Sequence, residues 1–352
     1  MYHVADAMKQ TLIALVMTFC VFCLPFVGAA EDEKVLNIYN WANYIDEETI
    51  PEFEKQFGVK VNYDVYDGNE TLLAKLMAGG SGFDLIFPSQ YMVEIMIKLN
   101  LAAELDKSKI PNAANIDPKF LNQFFDPSNK YSLPYTWGGS CIGYRADKVT
   151  ETVDSWNILF DPKYAGQIVV LDDMREVMGF ALKSLGFSYN STNPAELEQA
   201  KALLIQQKPL IKAYSSAQPE QKLLSGDAAL LHNFTGDTLR ILREDPEHIK
   251  IIIPKEGASM FVDSFVIPAS APHKELAHEF INFMLDPQRD ARIHNHISYP
   301  TTNAKAAPYL DEVIQQFIAQ IPPEAEDKME YIKDLGEATR LWDKIWTEIK
   351  AE

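Results

Sequence analysis

The chain has 352 residues, 47% hydrophobic and 23% charged, an ordinary globular composition that excludes disordered, collagen-like and mucin-like classes. Its 50 acids against 32 bases give a net charge of −18. Such a chain repels phosphate backbones, which argues against a nucleic-acid partner and favours cations.

Residues 1–30 read as a secretory signal peptide. A short start ends at Lys9, Thr11 to Val27 is apolar and uncharged, and Gly28-Ala29-Ala30 suits cleavage before Glu31. An uncleaved anchor is the alternative, because 17 apolar residues just reach across a bilayer. Cys20 and Cys23 mimic a redox C-x-x-C motif but fall inside the apolar run. Removing 30 of 352 residues leaves 322 and the same net charge, since the segment holds one acid, Asp6, and one base, Lys9. One cysteine, Cys141, then remains, so no internal disulfide is expected. A chain of this length suggests two domains.

Strands and helices alternate along the mature chain. Val35–Tyr39 reads as a strand, Glu47–Phe57 as a helix ended by Gly58, and Val59–Tyr66 as a strand with Val59, Val61, Tyr63 and Val65 on one side. Asn69 can cap a helix through Met77. Asp84–Phe87 is a short apolar strand, followed by a helix from Gln90 to Leu99. This order predicts a parallel sheet covered by helices on both faces. Later strands are expected at Gln167–Leu171, Ala228–Leu231, Ile249–Ile253 and Phe261–Ile267. Later helices are expected at Glu176–Leu185, Glu196–Gln207, Asp237–Arg243, Lys274–Leu285 and Glu337–Ile349. No linker separates two consecutive domains, which fits a chain that crosses between them more than once.

Several motifs carry no chemistry. Gly79-Gly80-Ser81-Gly82 lacks the Lys-Ser/Thr of a P-loop, and Gly138-Gly139-Ser140-Cys141 is not a G-x-S-x-G elbow. His294 and His296 do not share a helix face and read as surface or capping residues rather than metal ligands. Cys141 reads as packing. No metal or other cofactor is implied.

What remains is a recurrence of aromatics and polar groups after the strands. Trp41 and Tyr44, Ser89 and Tyr91, Asp173 and Glu176, and Phe234 and Asp237 follow successive strands, while Phe261 and Asp263 lie in one and Tyr299 in a loop. Open α/β sheets bind ligands outside the carboxyl ends of their strands. Carboxylates can replace the hydration of ammonium groups, and aromatic faces can cover methylenes and add cation–π attraction. Helix capping by Asp173 and Asp237 is the competing explanation.

The chain resembles the periplasmic spermidine/putrescine-binding proteins of ABC importers. The resemblance rests on Tyr39-Asn40-Trp41-Ala42-Asn43-Tyr44-Ile45, Asn69-Glu70-Thr71, Phe83-Asp84-Leu85, Pro88-Ser89, Phe125-Asp126-Pro127 and Ser132-Leu133-Pro134-Tyr135. It continues through Asp172-Asp173-Met174-Arg175-Glu176-Val177, Pro254-Lys255-Glu256-Gly257, Asp263-Ser264 and Tyr299-Pro300-Thr301. It implies a type II periplasmic-binding-protein fold, two α/β domains joined by crossing strands around a ligand cleft. One domain would be 31–141 plus 262–307 and the other 142–261 plus 308–352. Trp41, Tyr44, Phe234, Phe261 and Tyr299 would form the aromatic walls, with Tyr91 matching spermidine-type members. Asp173, Glu176 and Asp263 would hold ammonium groups, Asp237 matches putrescine-type members, and Ser89 and Ser216 would add polar contacts. Ala42 stands where a hydroxyl is common, Phe234 where Trp is usual, and Ile332 where a Gln favours spermidine. The expected function is binding without chemistry: a monomeric periplasmic protein delivering a polyamine to a membrane permease. Alternatives are a polyamine sensor, or an enzyme of the same fold using Cys141.

Overall fold

In the computed structural model, residues 34–79 and 82–351 are described. The signal-peptide reading, with Cys20 and Cys23, lies outside them. Val35–Glu352 forms one compact unit.

Among the described residues ten strands join one sheet: β1 (Val35–Trp41), β2 (Lys60–Tyr66), β3 (Leu85–Ile86), β4 (Ser132–Arg145), β5 (Ile168–Val170), β6 (Ile211–Tyr214), β7 (Leu230–Phe234), β8 (Ile249–Ile252), β9 (Ser259–Val266) and β10 (Glu330–Tyr331). The helices are α1 (Thr49–Phe57), α2 (Asn69–Met77), α3 (Gln90–Lys98), α4 (Met174–Ser184), α5 (Pro194–Gln207), α6 (Glu220–Leu224), α7 (Thr235–Glu244), α8 (Lys274–Met284), α9 (Pro287–Ile297), α10 (Glu312–Gln320), α11 (Pro323–Glu326) and α12 (Thr339–Ala351).

The sheet order is β2-β1-β3-β9-β4-β7-β5-β6, with β10 on β9 and β8 on β4. The expected all-parallel sheet is corrected to a mixed one. β1 runs parallel to β2 and β3, and β5 parallel to β6 and β7. β9 is antiparallel to β3 and β4, and β4 to β7 and β8. The reason is β4, which sequence periodicity did not reveal. It is buried along both faces, so it shows no alternation, and Pro134, Gly138 and Gly139 look like breakers. Its first half pairs with β9 and its second half with β7 and β8, so one strand runs through both halves of the molecule.

The apolar interior follows this division. Ile38, Phe53, Phe87, Tyr135, Phe265 and Phe280 belong to one buried cluster. Trp156, Phe180, Leu204, Trp342 and Ile345 belong to another. In β2, Val65 is 52% exposed despite sharing Val61's side of the pattern, because this edge strand turns its last residue, Tyr66, inward. His294 is a second correction. It is buried, not at the surface, with its ring 5.1 Å from that of Tyr135 and Nδ1 on the carbonyl of Asp290 at 2.8 Å.

The two central glycines of β4 have different neighbours. A Cβ on Gly139 would lie 2.2 Å from the Ser259 carbonyl oxygen, a backbone atom of β9 that cannot step aside. Gly139→Ala is therefore expected to destabilise the protein by about 1–3 kcal/mol, the usual cost of overpacking, as a lower urea midpoint. An unchanged midpoint would show that the strands can part freely there.

Candidate functional site

Five of the predicted aromatics form one continuous chain of rings. Centroid distances are 6.5 Å from Trp41 to Tyr44, 5.8 Å from Tyr44 to Tyr299, 5.8 Å from Tyr299 to Phe261, and 5.9 Å from Phe261 to Phe234. The contacts are tilted or edge-to-face, which leaves ring faces unstacked. Glycines make room for the rings. A Cβ on Gly138 would meet the Phe261 ring at 2.6 Å, and one on Gly236 the Tyr299 ring at 2.3 Å. Trp41 is fixed by its indole N–H, which donates to the Phe87 carbonyl at 2.8 Å. Tyr66 donates to the same carbonyl and packs 4.6 Å from Trp41.

Asp263 sits beside this chain. It is 3% exposed and accepts hydrogen bonds from the hydroxyls of Tyr44 and Ser89, each at 2.6 Å. Among the described residues, no Lys, Arg or His lies within ion-pair distance of it. Burial pushes its carboxyl up to about 6, and the two hydroxyls pull the other way. Asn69 organises the next layer. Its amide donates to Ser89 Oγ at 3.1 Å and to the Tyr91 hydroxyl at 3.0 Å. The expectation that Asn69 caps α2 is thus corrected: Gly68 holds the cap position, and the Asn69 side chain faces inward.

The remaining acids start helices. Asp173 caps α4, accepting from the Glu176 N–H at 2.9 Å. It is exposed, yet burial is the first cause holding its carboxyl above the usual range and the Glu176 charge the second. Tyr91, on α3, feels the Asp173 charge, so the two approach each other. Glu176 is 2% exposed, and its Oε2 accepts from the Tyr189 hydroxyl at 2.9 Å and from Ser259 Oγ at 3.1 Å. Asp237, in the first turn of α7, shares Arg240 Nη2 with buried Glu220, at 3.2 and 2.8 Å. Burial, and then the Glu220 charge, raises its carboxyl, while the Arg240 guanidinium lowers it. The Tyr299 ring packs between those of Tyr44 and Phe261, and its hydroxyl feels the charges of both Asp237 and Asp263.

Ser216 stands apart from the ring chain. It is exposed after β6, and its hydroxyl accepts from the Asp172 N–H at 3.2 Å. Sequence reasoning did not single out Asn69's inward role, Tyr66, Tyr189, Gly138 or Gly236. A signal existed for Gly236, which falls between Phe234 and Asp237, two selected residues. Cys141 is buried, and burial pushes its thiol up to about 12, which makes it a poor nucleophile. Its sulfur points to the Asn233 carbonyl and the Thr238 hydroxyl at 3.3 and 3.4 Å.

The bacterial extracellular solute-binding protein family matches residues 48–320. The chain belongs to that family. It is 37% identical over 325 residues to the spermidine/putrescine-binding periplasmic protein of Escherichia coli, covering 92% of this chain and 93% of the relative. It is 36% identical over 340 residues to a putrescine/cadaverine-binding protein of Pseudomonas aeruginosa, covering 92% and 96%. A solved putative spermidine/putrescine ABC transporter protein from Listeria monocytogenes superposes with a TM-score of 0.82 at 37% identity, over 90% of this chain and 99% of that one. The fold is the type II periplasmic-binding fold, as the sequence leads one to expect.

The raised carboxyl of Asp263 has a consequence for folding. A group with a pKa higher folded than unfolded contributes stability fully below its unfolded value, 3.8, and loses it as pH rises through about 6. Ligand-free Asp263→Asn is therefore expected to be more stable than wild type at pH 7, with the gap closing towards pH 4.5. Urea melts at both pH values test this, and a gap independent of pH would mean the carboxyl is not perturbed.

Proposed function

We propose that this protein is the substrate-binding component of a polyamine ABC importer, taking a spermidine- or putrescine-like amine between its two lobes. The observation that carries this reading is Asp263: a buried carboxylate beside a chain of aromatic rings, hydrogen-bonded by neutral hydroxyls and lacking a cationic partner among the described residues. Burying such a charge is costly until a cation arrives. The relatives named for spermidine, putrescine and cadaverine support the same ligand class.

In this reading the lobes are 31–141 with 262–307 and 142–261 with 308–352. One ammonium pairs with Asp263, and another with Asp173 and Glu176, or with Asp237 for a ligand of different length. Trp41, Tyr44, Tyr91, Phe234, Phe261 and Tyr299 enclose the methylenes, and Ser89 and Ser216 add hydroxyl contacts. A cation–π contact adds roughly 0.5–2 kcal/mol per ring. The protein binds its ligand without transforming it. The ligand favours closure only through its extra affinity for the closed form, which a membrane permease then receives. The protein acts as a monomer in the periplasm, and residues 1–30 are its cleaved export signal. Among the described residues no helix is long and apolar enough to cross a membrane.

Putrescine or spermidine is expected to raise the melting temperature at pH 7.5, and by less at pH 5, where Asp263 is largely protonated. Asp263→Asn should weaken binding by roughly 3 kcal/mol, on the order of 100-fold. Titration calorimetry with no heat from any di- or triamine would reject the reading.

A further inference from the structure

Of the four acids read as ammonium holders, Asp237 alone is paired with a Lys or Arg among the described residues. Arg240 lies one turn later on α7, and its Nη2 reaches Asp237 Oδ1 at 3.2 Å. The same nitrogen donates to Glu220 Oε1 at 2.8 Å. Glu220 opens α6 and is 1% exposed, and Arg240 is its one ion-pair partner among the described residues.

The two contacts are unequal. Glu220 is sealed from water, so stripping it of its cation would be costly, and the shorter bond runs to it. Asp237 keeps 39% of its side chain exposed and takes the longer contact, on a nitrogen already engaged. One guanidinium facing two carboxylates leaves one negative charge over. The group borders the ring chain. The Tyr299 ring fills the space beside Gly236, the residue before Asp237, and its hydroxyl feels the charges of Asp237, Asp263 and Arg240. The other acids are held differently. Asp263 accepts from the hydroxyls of Tyr44 and Ser89, and Glu176 from those of Tyr189 and Ser259. Arg175, between Asp173 and Glu176 in sequence, donates instead to the Lys333 carbonyl and to Asn190.

We propose that Arg240 is a specificity-determining residue: it occupies Asp237 in place of a ligand ammonium and so directs the second ammonium to Asp173 and Glu176. This deepens the polyamine reading and rests on it. An ammonium arriving at Asp237 must displace a guanidinium that Glu220 keeps at hand. At Asp173 no ion pair has to be broken. The selection is therefore one of ligand length and shape. An amine that reaches from Asp263 to Asp173 and Glu176 is favoured over one that reaches from Asp263 to Asp237.

Titration calorimetry at pH 7.5 with putrescine, cadaverine and spermidine reads this. Arg240→Met removes the competing charge and keeps a good helix former. At least one of the three amines should then bind roughly 5-fold tighter, about 1 kcal/mol, and the gain should vanish when Asp237→Asn is added. A gain that survives Asp237→Asn is a general effect of net charge and overturns the inference. Unchanged or uniformly weaker binding of all three amines by Arg240→Met overturns it too, as the mark of a residue that only braces α6. Should Arg240→Met fail to fold because Glu220 is stranded, Glu220→Gln with Arg240→Met removes the buried charge together with its partner, and the same outcomes decide. Wild type that takes up none of the three fails the polyamine reading itself, a result distinct from a wild type that binds and a variant that gains nothing.

Discussion

A carboxylate sealed from water without a cation is the constraint around which this molecule is arranged. Asp263 keeps its charge near neutral pH because Tyr44 and Ser89 both donate to it, and those hydroxyls stay aimed because other groups hold them. Asn69 fixes Ser89 from α2, and Tyr135 donates to the Tyr44 carbonyl at 2.7 Å. Each donor is neutral. They lower the cost of the charge without cancelling it, so the site stays open to a cation from outside.

The fold works against cation binding, and the sequence reverses that tendency. The starts of α2 and α3 meet at β9 through the links Asn69–Ser89 and Ser89–Asp263, and the start of α4 meets it through Glu176 and Ser259. A helix N-terminus carries about half a positive charge and attracts anions. Glu70 lies in the first turn of α2, Glu176 in that of α4 and Asp237 in that of α7, while Asp173 caps α4. The capping explanation for these acids and a role in ligand binding are therefore compatible. One carboxylate can satisfy a helix start and leave net negative potential beside it.

How much of this was legible depended on where chain order and burial agree. Helices with one apolar stripe, such as α1 and α12, could be read to within two residues, because one face packs and the other meets water. The aromatics could be picked out because they follow strands, a positional regularity that survives without knowledge of packing. Three features stayed hidden for physical reasons. β4 is buried on both faces, so it lacks a two-residue period. Asn69 looks like a cap because its type favours caps, and only the fold shows Ser89 and Tyr91 within reach of its amide. His232 shares an otherwise apolar β7 with Asn233, and its 3.7 Å approach to Glu176 is visible only in the fold.

The crossing strands explain why site and fold cannot be separated. Gly138 and Gly139 are adjacent in β4, yet the first yields space to the Phe261 ring and the second to the backbone of β9. Phe261 and Asp263 share β9, and their register against Gly138 and Thr136 is set by the same strand pair that joins the two halves. Gln90 ties that strand to α3 and to the chain before α12, accepting from the Val262 N–H at 3.1 Å and donating to the Ile332 carbonyl at 3.0 Å. A shift of β9 against β4 would move a ring and the buried carboxylate together, because Phe261 and Asp263 are both registered on β4.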